Sequence, residues 1–182
     1  MEGISSPPTL DVGAFRLRPL RPGDEAAWFN YLREPRVIEH TSFPVVDMGL
    51  VRGFVERAVG EYSRQGPYRW ALANPQDLLV GTCGFSTWSL THGHAELVYD
   101  LNPEYQHQGL MALAVDTVVR WAFSHLPLHR IQAFVMTSNR PSITLLERCG
   151  FEREGTLRAY RIARGNPRDF YLYARIQRPA QP

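Results

Sequence analysis

A glutamine, two spacers and a glycine, Gln106-His107-Gln108-Gly109, stand directly before a long apolar-periodic stretch that opens with Leu110-Met111-Ala112. The first N–H groups of a helix have no intrahelical acceptor and lie at the positive end of its dipole, so such a turn suits an anion. A glycine there lets a phosphate approach the backbone without meeting a Cβ. Downstream, Ser138-Asn139-Arg140-Pro141-Ser142 precedes a second apolar stretch that ends at Cys149-Gly150. Asn139 suits an N-cap, Pro141 the first turn and Gly150 the stop, which by itself describes only a well-capped short helix. Just ahead of the first of these segments, the alternating run His94 to Leu101 carries two carboxylates, Glu96 and Asp100. Carboxylates beside an anion-binding turn are candidate general bases.

The elements that must hold these residues follow from periodicity and turn chemistry. Phe15 to Leu20 alternates apolar residues with arginine, a strand, and Pro22-Gly23-Asp24 then starts a helix to about Arg33. A loop with Pro35 and Pro44 leads to a second helix over roughly Met48 to Arg64. Tyr68 to Ala73 and Leu79 to Trp88 read as strands paired through the turn Asn74-Pro75-Gln76-Asp77. His94 to Leu101 is a further strand, with Ala95, Leu97, Tyr99 and Leu101 on one side and His94, Glu96 and Asp100 on the other. The helix after Gly109 ends before Pro127; Ile131 to Met136 is a strand, and Pro141 to Cys149 a short helix. Strands near Glu152 to Leu157 and Phe170 to Ile176 complete the pattern. The expected class is α/β (α+β): a mixed, mostly antiparallel sheet of about seven strands with four helices. Its one parallel crossover, His94 to Met136, is right-handed, with the anion turn at the carboxyl end of the first strand.

Composition narrows the function classes. The chain has 182 residues, 44% hydrophobic and 21% charged, as in an ordinary globular domain. We expect one domain over residues 12–178, preceded by a flexible tail, Met1 to Asp11, that lacks the apolar core of a signal peptide. No run approaches the length of a membrane span, and a cytoplasmic protein with no membrane partner is expected. A net charge of +2 is too small to argue for direct nucleic-acid binding. Every basic residue is arginine, which reads chiefly as compositional bias. Cys83 and Cys149 form neither a disulfide framework nor a metal set, and His92-Gly93-His94 lacks companion ligands, so no metal is expected.

Taken in order, these segments resemble the GCN5-related N-acetyltransferase (GNAT) family, in the branch (RimJ/RimL-like) that acetylates the N-termini of ribosomal proteins. The family's Gln/Arg-x-x-Gly-x-Gly/Ala signature is matched by Gln106 to Met111, with Met111 replacing the last small residue. Glu96 to Tyr105 is similar to the branch's strand and lead-in, and Asn139, Ser142, Leu146, Glu147 and Gly150-Phe151 to its second motif. Glu154 to Arg158, Gly165, Asp169 and Tyr173 match its C-terminal pattern, so the resemblance runs from about Phe15 to Ile176.

The resemblance implies a GNAT fold whose central parallel strands splay at the cofactor, acetyl-CoA. It places the pyrophosphate on the turn Gln106, His107, Gln108, Gly109, Leu110, Met111 and Ala112, the pantetheine arm along Tyr99, Asp100 and Leu101, and Asn139 and Ser142 beside the thioester. The tyrosine that many members use to protonate the leaving thiolate is replaced by Leu146, and Ser142 is expected to hydrogen-bond the thiolate instead. Glu96 is the expected base, acting through water, with Asp100 its rival. An α-amine, with its ordinary pKa of about 7.7–8.0, needs less help from a base than lysine, at about 10.4. The expected reaction is therefore acetyl transfer to a protein N-terminus by direct attack in a ternary complex. A small-molecule amine as acceptor, or a non-catalytic acyl-CoA sensor, are the alternatives. Arg36, Glu39, His40 and Phe43, between the first two helices, are expected to touch the acceptor, and the last strand would permit a homodimer.

Overall fold

The computed structural model describes residues 6–42, 46–62 and 66–177. Eight strands form one sheet in the order β1-β2-β3-β4-β5-β6-β8-β7. They are β1 (Leu10–Val12), β2 (Phe15–Pro19), β3 (Arg69–Ala73), β4 (Leu79–Ser89), β5 (His94–Leu101), β6 (Arg130–Met136), β7 (Glu152–Ala163) and β8 (Asn166–Ile176). Five α-helices, α1 (Glu25–Leu32), α2 (Pro35–Ile38), α3 (Met48–Tyr62), α4 (Leu110–His125) and α5 (Arg140–Arg148), accompany them. All strand pairs are antiparallel except β5 with β6. The mixed sheet and its single parallel crossover match the expectation, with one strand and one helix more. No helix among the described residues is long and apolar enough to cross a membrane.

The extra elements are short or are held by remote contacts. Leu10 and Asp11, assigned from sequence to a flexible tail, pair with Leu17 and Arg16, and the Trp70 indole N–H donates to the Pro8 carbonyl at 2.7 Å. Three residues of alternation are too few to signal a strand on their own. Helix α2 is one turn opened by Pro35 at its first position, within the stretch read as loop. The last two strands reach far beyond Leu157 and back before Phe170, because Ala163 pairs with Asn166 across a two-residue turn. Arg164 and Gly165 both have positive φ there, 50° and 76°, the geometry that matches strand twist. An arginine is an unusual occupant, and long-range bonds hold it: its guanidinium donates to the carbonyls of Ile38 and Glu39, each at 2.6 Å. The expected Met48–Arg64 helix is present over Met48–Tyr62, and Arg64 lies outside the described residues.

Strand alternation sorts the core onto two faces. Arg69 on β3 lies under α1, its guanidinium 4.7 Å from the Trp28 ring. Its neighbour Trp70 faces the other way, 5.2 Å from Trp121 of α4, with Tyr68 5.9 Å from Trp121. Trp28, Trp70, Tyr31 and Phe85 are all buried. β3 and β4 approach closely at Gly84, where a Cβ would meet the Tyr68 carbonyl oxygen at 2.3 Å and the Arg69 Cα at 2.6 Å.

At the far edge Arg18, itself buried, grips Asp24 through both terminal nitrogens at 2.7 and 2.9 Å and Asp77 through Nε at 2.8 Å. Asp77 also accepts from Arg21 and Arg16, and these hydrogen bonds, Arg21's foremost, hold its carboxyl well below the usual carboxylate range. A depressed folded-state pKa stabilises the fold above the unfolded value, and that stabilisation is lost as pH falls toward the folded one. Asp77→Asn should therefore flatten the loss of stability between about pH 4 and pH 2 seen in urea melts of the parent. Gly84→Ala should cost about 3 kcal/mol through overpacking against backbone that cannot yield, read as a lower urea midpoint at neutral pH.

Candidate functional site

The site begins where β5 parts from β6. Only His94, Ala95 and Glu96 of β5 have β6 partners; Leu97 to Leu101 run on without a ladder partner on that side. Opposite the parting point β4 carries a bulge, with Phe85 facing Leu97 but Thr87 facing Glu96. A bulge bends its strand and sharpens the local twist, so the sheet opens there into a wedge.

Asp100 anchors the free end of β5. Its carboxylate accepts from Arg69 Nη2 at 2.7 Å, from the Thr82 hydroxyl at 2.6 Å, and from the Tyr31 hydroxyl. Arg69 also donates to Thr82 Oγ1 at 2.8 and 3.0 Å. Burial, then the nearby Asp100 charge, pushes the Tyr31 phenol well above its ordinary pKa, so it remains a donor. With its lone pairs engaged by α1, β3 and β4, Asp100 is a poor candidate for taking a proton from an amine.

A cavity of about 480 Å³ lies in the wedge, and Glu96, Asp100 and Ser142 all border it. Glu96 faces the α1–α3 side, its side chain 17% exposed, with Oε1 3.2 Å from Arg161 Nη2. Arg161 reaches in from β7 and lies 5.2 to 5.4 Å from the centroids of Phe134, Tyr160 and Phe170. His40 and Thr41 also line the cavity, where Arg164 of the β7–β8 turn ties the end of α2 to the hairpin.

On the other face of β5 the Tyr99 and Ser142 hydroxyls lie 2.5 Å apart. Burial raises the Tyr99 pKa strongly, against a smaller lowering by Ser142, so the phenol keeps its proton near neutral pH. Asn139 caps α5 by accepting from the Ser142 N–H at 3.1 Å. The helix closes with Gly150 (φ 75°) and paired bonds from Gly150 to Glu147 and from Phe151 to Leu146, a Schellman ending.

The Gln106 to Ala112 turn lies outside this cavity, at the start of α4. His107 and Gly109 both have left-handed φ, 61° and 74°, and a Cβ at Gly109 would meet nothing within 4 Å. The first helical bond is Leu113 N–H to the Gly109 carbonyl, so the N–H groups of Leu110, Met111 and Ala112 lack an i−4 acceptor. The Leu110 and Met111 side chains are buried, leaving only their backbone to meet a ligand. Gln106 and Gln108 are exposed, and each has its amide near a local carbonyl, Leu101 at 3.5 Å and Glu104 at 3.3 Å. Open space, N–H groups without a helical acceptor and an unpaired strand edge suit a ligand that is anionic at one end and strand-like along its length.

The structure thus brings Glu96, Tyr99, Asp100, Asn139, Ser142 and His40 to one cavity. Arg36 is not among its walls: on the exposed face of α2, it pairs with Glu34 at 2.8 Å. Phe43 lies outside the described residues. Sequence reasoning missed Arg161, Arg69, Thr82 and the role of Tyr31, none of which carries a local signal, because each acts through a partner 18 to 69 residues away.

Residues 15–152 match the family model "Acetyltransferase (GNAT) domain". The chain is 31% identical over 173 residues to the uncharacterized N-acetyltransferase p20 of Bacillus licheniformis, spanning 93% of this chain and 97% of the relative. It is 33% identical over 119 residues, 64% of this chain and 61% of the relative, to the ribosomal protein uS5-alanine N-acetyltransferase of Escherichia coli. Among solved structures it superposes on the microcin C7 self-immunity acetyltransferase MccE, in complex with acetyl-CoA and AMP, with TM-score 0.85 at 17% identity, covering 96% of this chain and 99% of that one.

The Asp100 cluster carries a direct stability prediction. Tyr31→Phe removes one donor and should cost about 1–2 kcal/mol. Asp100→Ala strands the Arg69 charge and should cost about 3–5 kcal/mol, both read from urea unfolding.

Proposed function

The chain belongs to the GNAT acetyltransferase family, and we propose on that premise that it acetylates the N-terminal α-amine of a protein in a ternary complex with acetyl-CoA. Bound acetyl-CoA supplies a thioester carbonyl as electrophile and a thiolate as leaving group. The residues fit that group: the N–H groups at the start of α4 would hold its pyrophosphate, and the unpaired edge of β5 its pantetheine arm.

The observation that carries the reading is that one cavity is bordered by Glu96 from one face of β5 and by the Tyr99–Ser142 pair from the other. Glu96 takes the proton of the incoming amine, directly or through water, on the α1–α3 side. Ser142, with the Tyr99 phenol behind it, donates a hydrogen bond where negative charge gathers on the leaving sulfur. Backbone N–H groups of the free β5 segment polarise the carbonyl between them. Leu146 of α5 is buried and apolar, which leaves the Tyr99–Ser142 pair as the hydroxyl donor on that side.

An α-amine suits this arrangement. Its pKa leaves a useful neutral fraction at pH 7, so a single carboxylate already shared with Arg161 is base enough. The acetyltransferase of Escherichia coli noted above acts, by its name, on the alanine of a ribosomal protein, which supports a protein terminus as acceptor. A protein that meets such acceptors would work in the cytoplasm.

CoA release should be followed with Ala- and Ser-initiated peptides, N-acetylated peptides carrying lysine, and aliphatic polyamines. Transfer to free N-termini with little to the others is expected, and a response to polyamines alone would overturn the acceptor. Glu96→Gln should lower kcat about 100-fold with the peptide and move its pH optimum upward, since the α-ammonium must then lose its proton unaided. Ser142→Ala should lower kcat about tenfold with little change in the acetyl-CoA KM.

A further inference from the structure

The acceptor wall contains a cation site that the protein fills with its own side chain. A carboxylate beside three aromatic faces is what a ligand ammonium seeks, through charge and through the ring quadrupoles together. Glu96, Phe134, Tyr160 and Phe170 form such a site, and the Arg161 guanidinium occupies it, 3.2 Å from Glu96 and 5.2 to 5.4 Å from the ring centroids. Among the described residues, the charged side chains bordering the cavity balance. Arg69 neutralises Asp100, Arg161 neutralises Glu96, and Arg57 and Glu61, one turn apart on α3, bring one charge of each sign.

We propose that Arg161 is a specificity-determining residue: by filling the Glu96–aromatic site it excludes acceptors that carry a second ammonium beside the reacting amine. The proposal rests on the acceptor reading above. A peptide presents its one α-amine to Glu96 and leaves an amide behind it. A diamine or polyamine must also bring a permanently charged nitrogen out of water, and the wall that could compensate it already holds a guanidinium. Desolvating a charge without a partner is costly, and repulsion by a like charge adds to that cost. Arginine suits the blocking role because its planar cation stacks on rings and stays charged at every working pH.

The test compares the parent with Arg161→Gln and Arg161→Leu, using an Ala-initiated peptide and spermidine as alternative acceptors at saturating acetyl-CoA. The ratio of kcat/KM for spermidine to that for the peptide should rise about tenfold or more in both variants, chiefly through a lower spermidine KM, and the gain should shrink at high salt. In the double variant with Glu96→Gln the gain should vanish, because the vacated carboxylate is its source. An unchanged ratio, or a parallel loss with both acceptors, would overturn the proposal and reduce Arg161 to a prop for Glu96. Calorimetric titration of spermidine into each protein provides a second readout, with about tenfold tighter binding expected when Arg161 is replaced. Equal spermidine affinity in parent and variants would also overturn it. If no amine is acetylated by any of these proteins, the functional reading fails while the titration still decides what Arg161 does.

Discussion

The wedge between β5 and β6 exists because a half-buried carboxylate holds the end of β5 elsewhere. A strand edge with unpaired N–H and C=O groups would ordinarily close onto its neighbour. Asp100 resists that closure by accepting from Arg69 on β3, Thr82 on β4 and Tyr31 on α1. Arg69 and Thr82 lie on the side of β5 away from β6, so their bonds draw the strand toward β4, while Tyr31 holds it from α1. The opposing bulge at Ser86 works in the same sense by bending β4 with it. Taking such a carboxylate partly out of water is tolerable only with hydrogen bonds in compensation, and here three donors supply them.

Once β5 is held open, its two-residue period sorts its polar side chains by face. Odd-numbered Tyr99 meets Ser142 of α5; even-numbered Glu96 and Asp100 face the side covered by α1 and α3. A bound thioester lying along the free edge would therefore have a carboxylate on one side and hydroxyls on the other. No loop needs to close for these groups to converge, because the pleat alone separates them by face. Loops frame only the outer side of the cavity, where Arg164 ties the β7–β8 turn to the end of α2.

Legibility in the sequence follows the range of each interaction. Strict alternation over His94 to Leu101 told both faces of β5 correctly, and the capped helix from Asn139 to Gly150 emerged nearly residue for residue. Both are governed by neighbours within a turn or a pleat. The Arg164–Gly165 hairpin was not legible, since a left-handed arginine is unfavourable until α2 supplies carbonyls more than 120 residues away. Asp100 was weighed as a base for the same reason: a carboxylate on a strand looks free until Arg69, Thr82 and Tyr31 are seen around it. Arg161 sits in a charged, turn-rich stretch that reads as loop, and only the length of β7 carries it to Glu96.

The absence of lysine, read from composition as a bias, has structural weight at these places. Arg18 grips Asp24 with two nitrogens while a third reaches Asp77, a fork an ammonium cannot form. Arg69 meets Asp100 and Thr82 while lying over the Trp28 ring, and Arg161 meets Glu96 while lying against three rings. Each site needs a flat cation that bonds along its edge and stacks on its faces. A lysine at position 69 would satisfy the charge of Asp100 but could not also stack flat on Trp28, and the end of β5 would be held by charge alone. The wedge depends on the shape of its cations as much as on their sign.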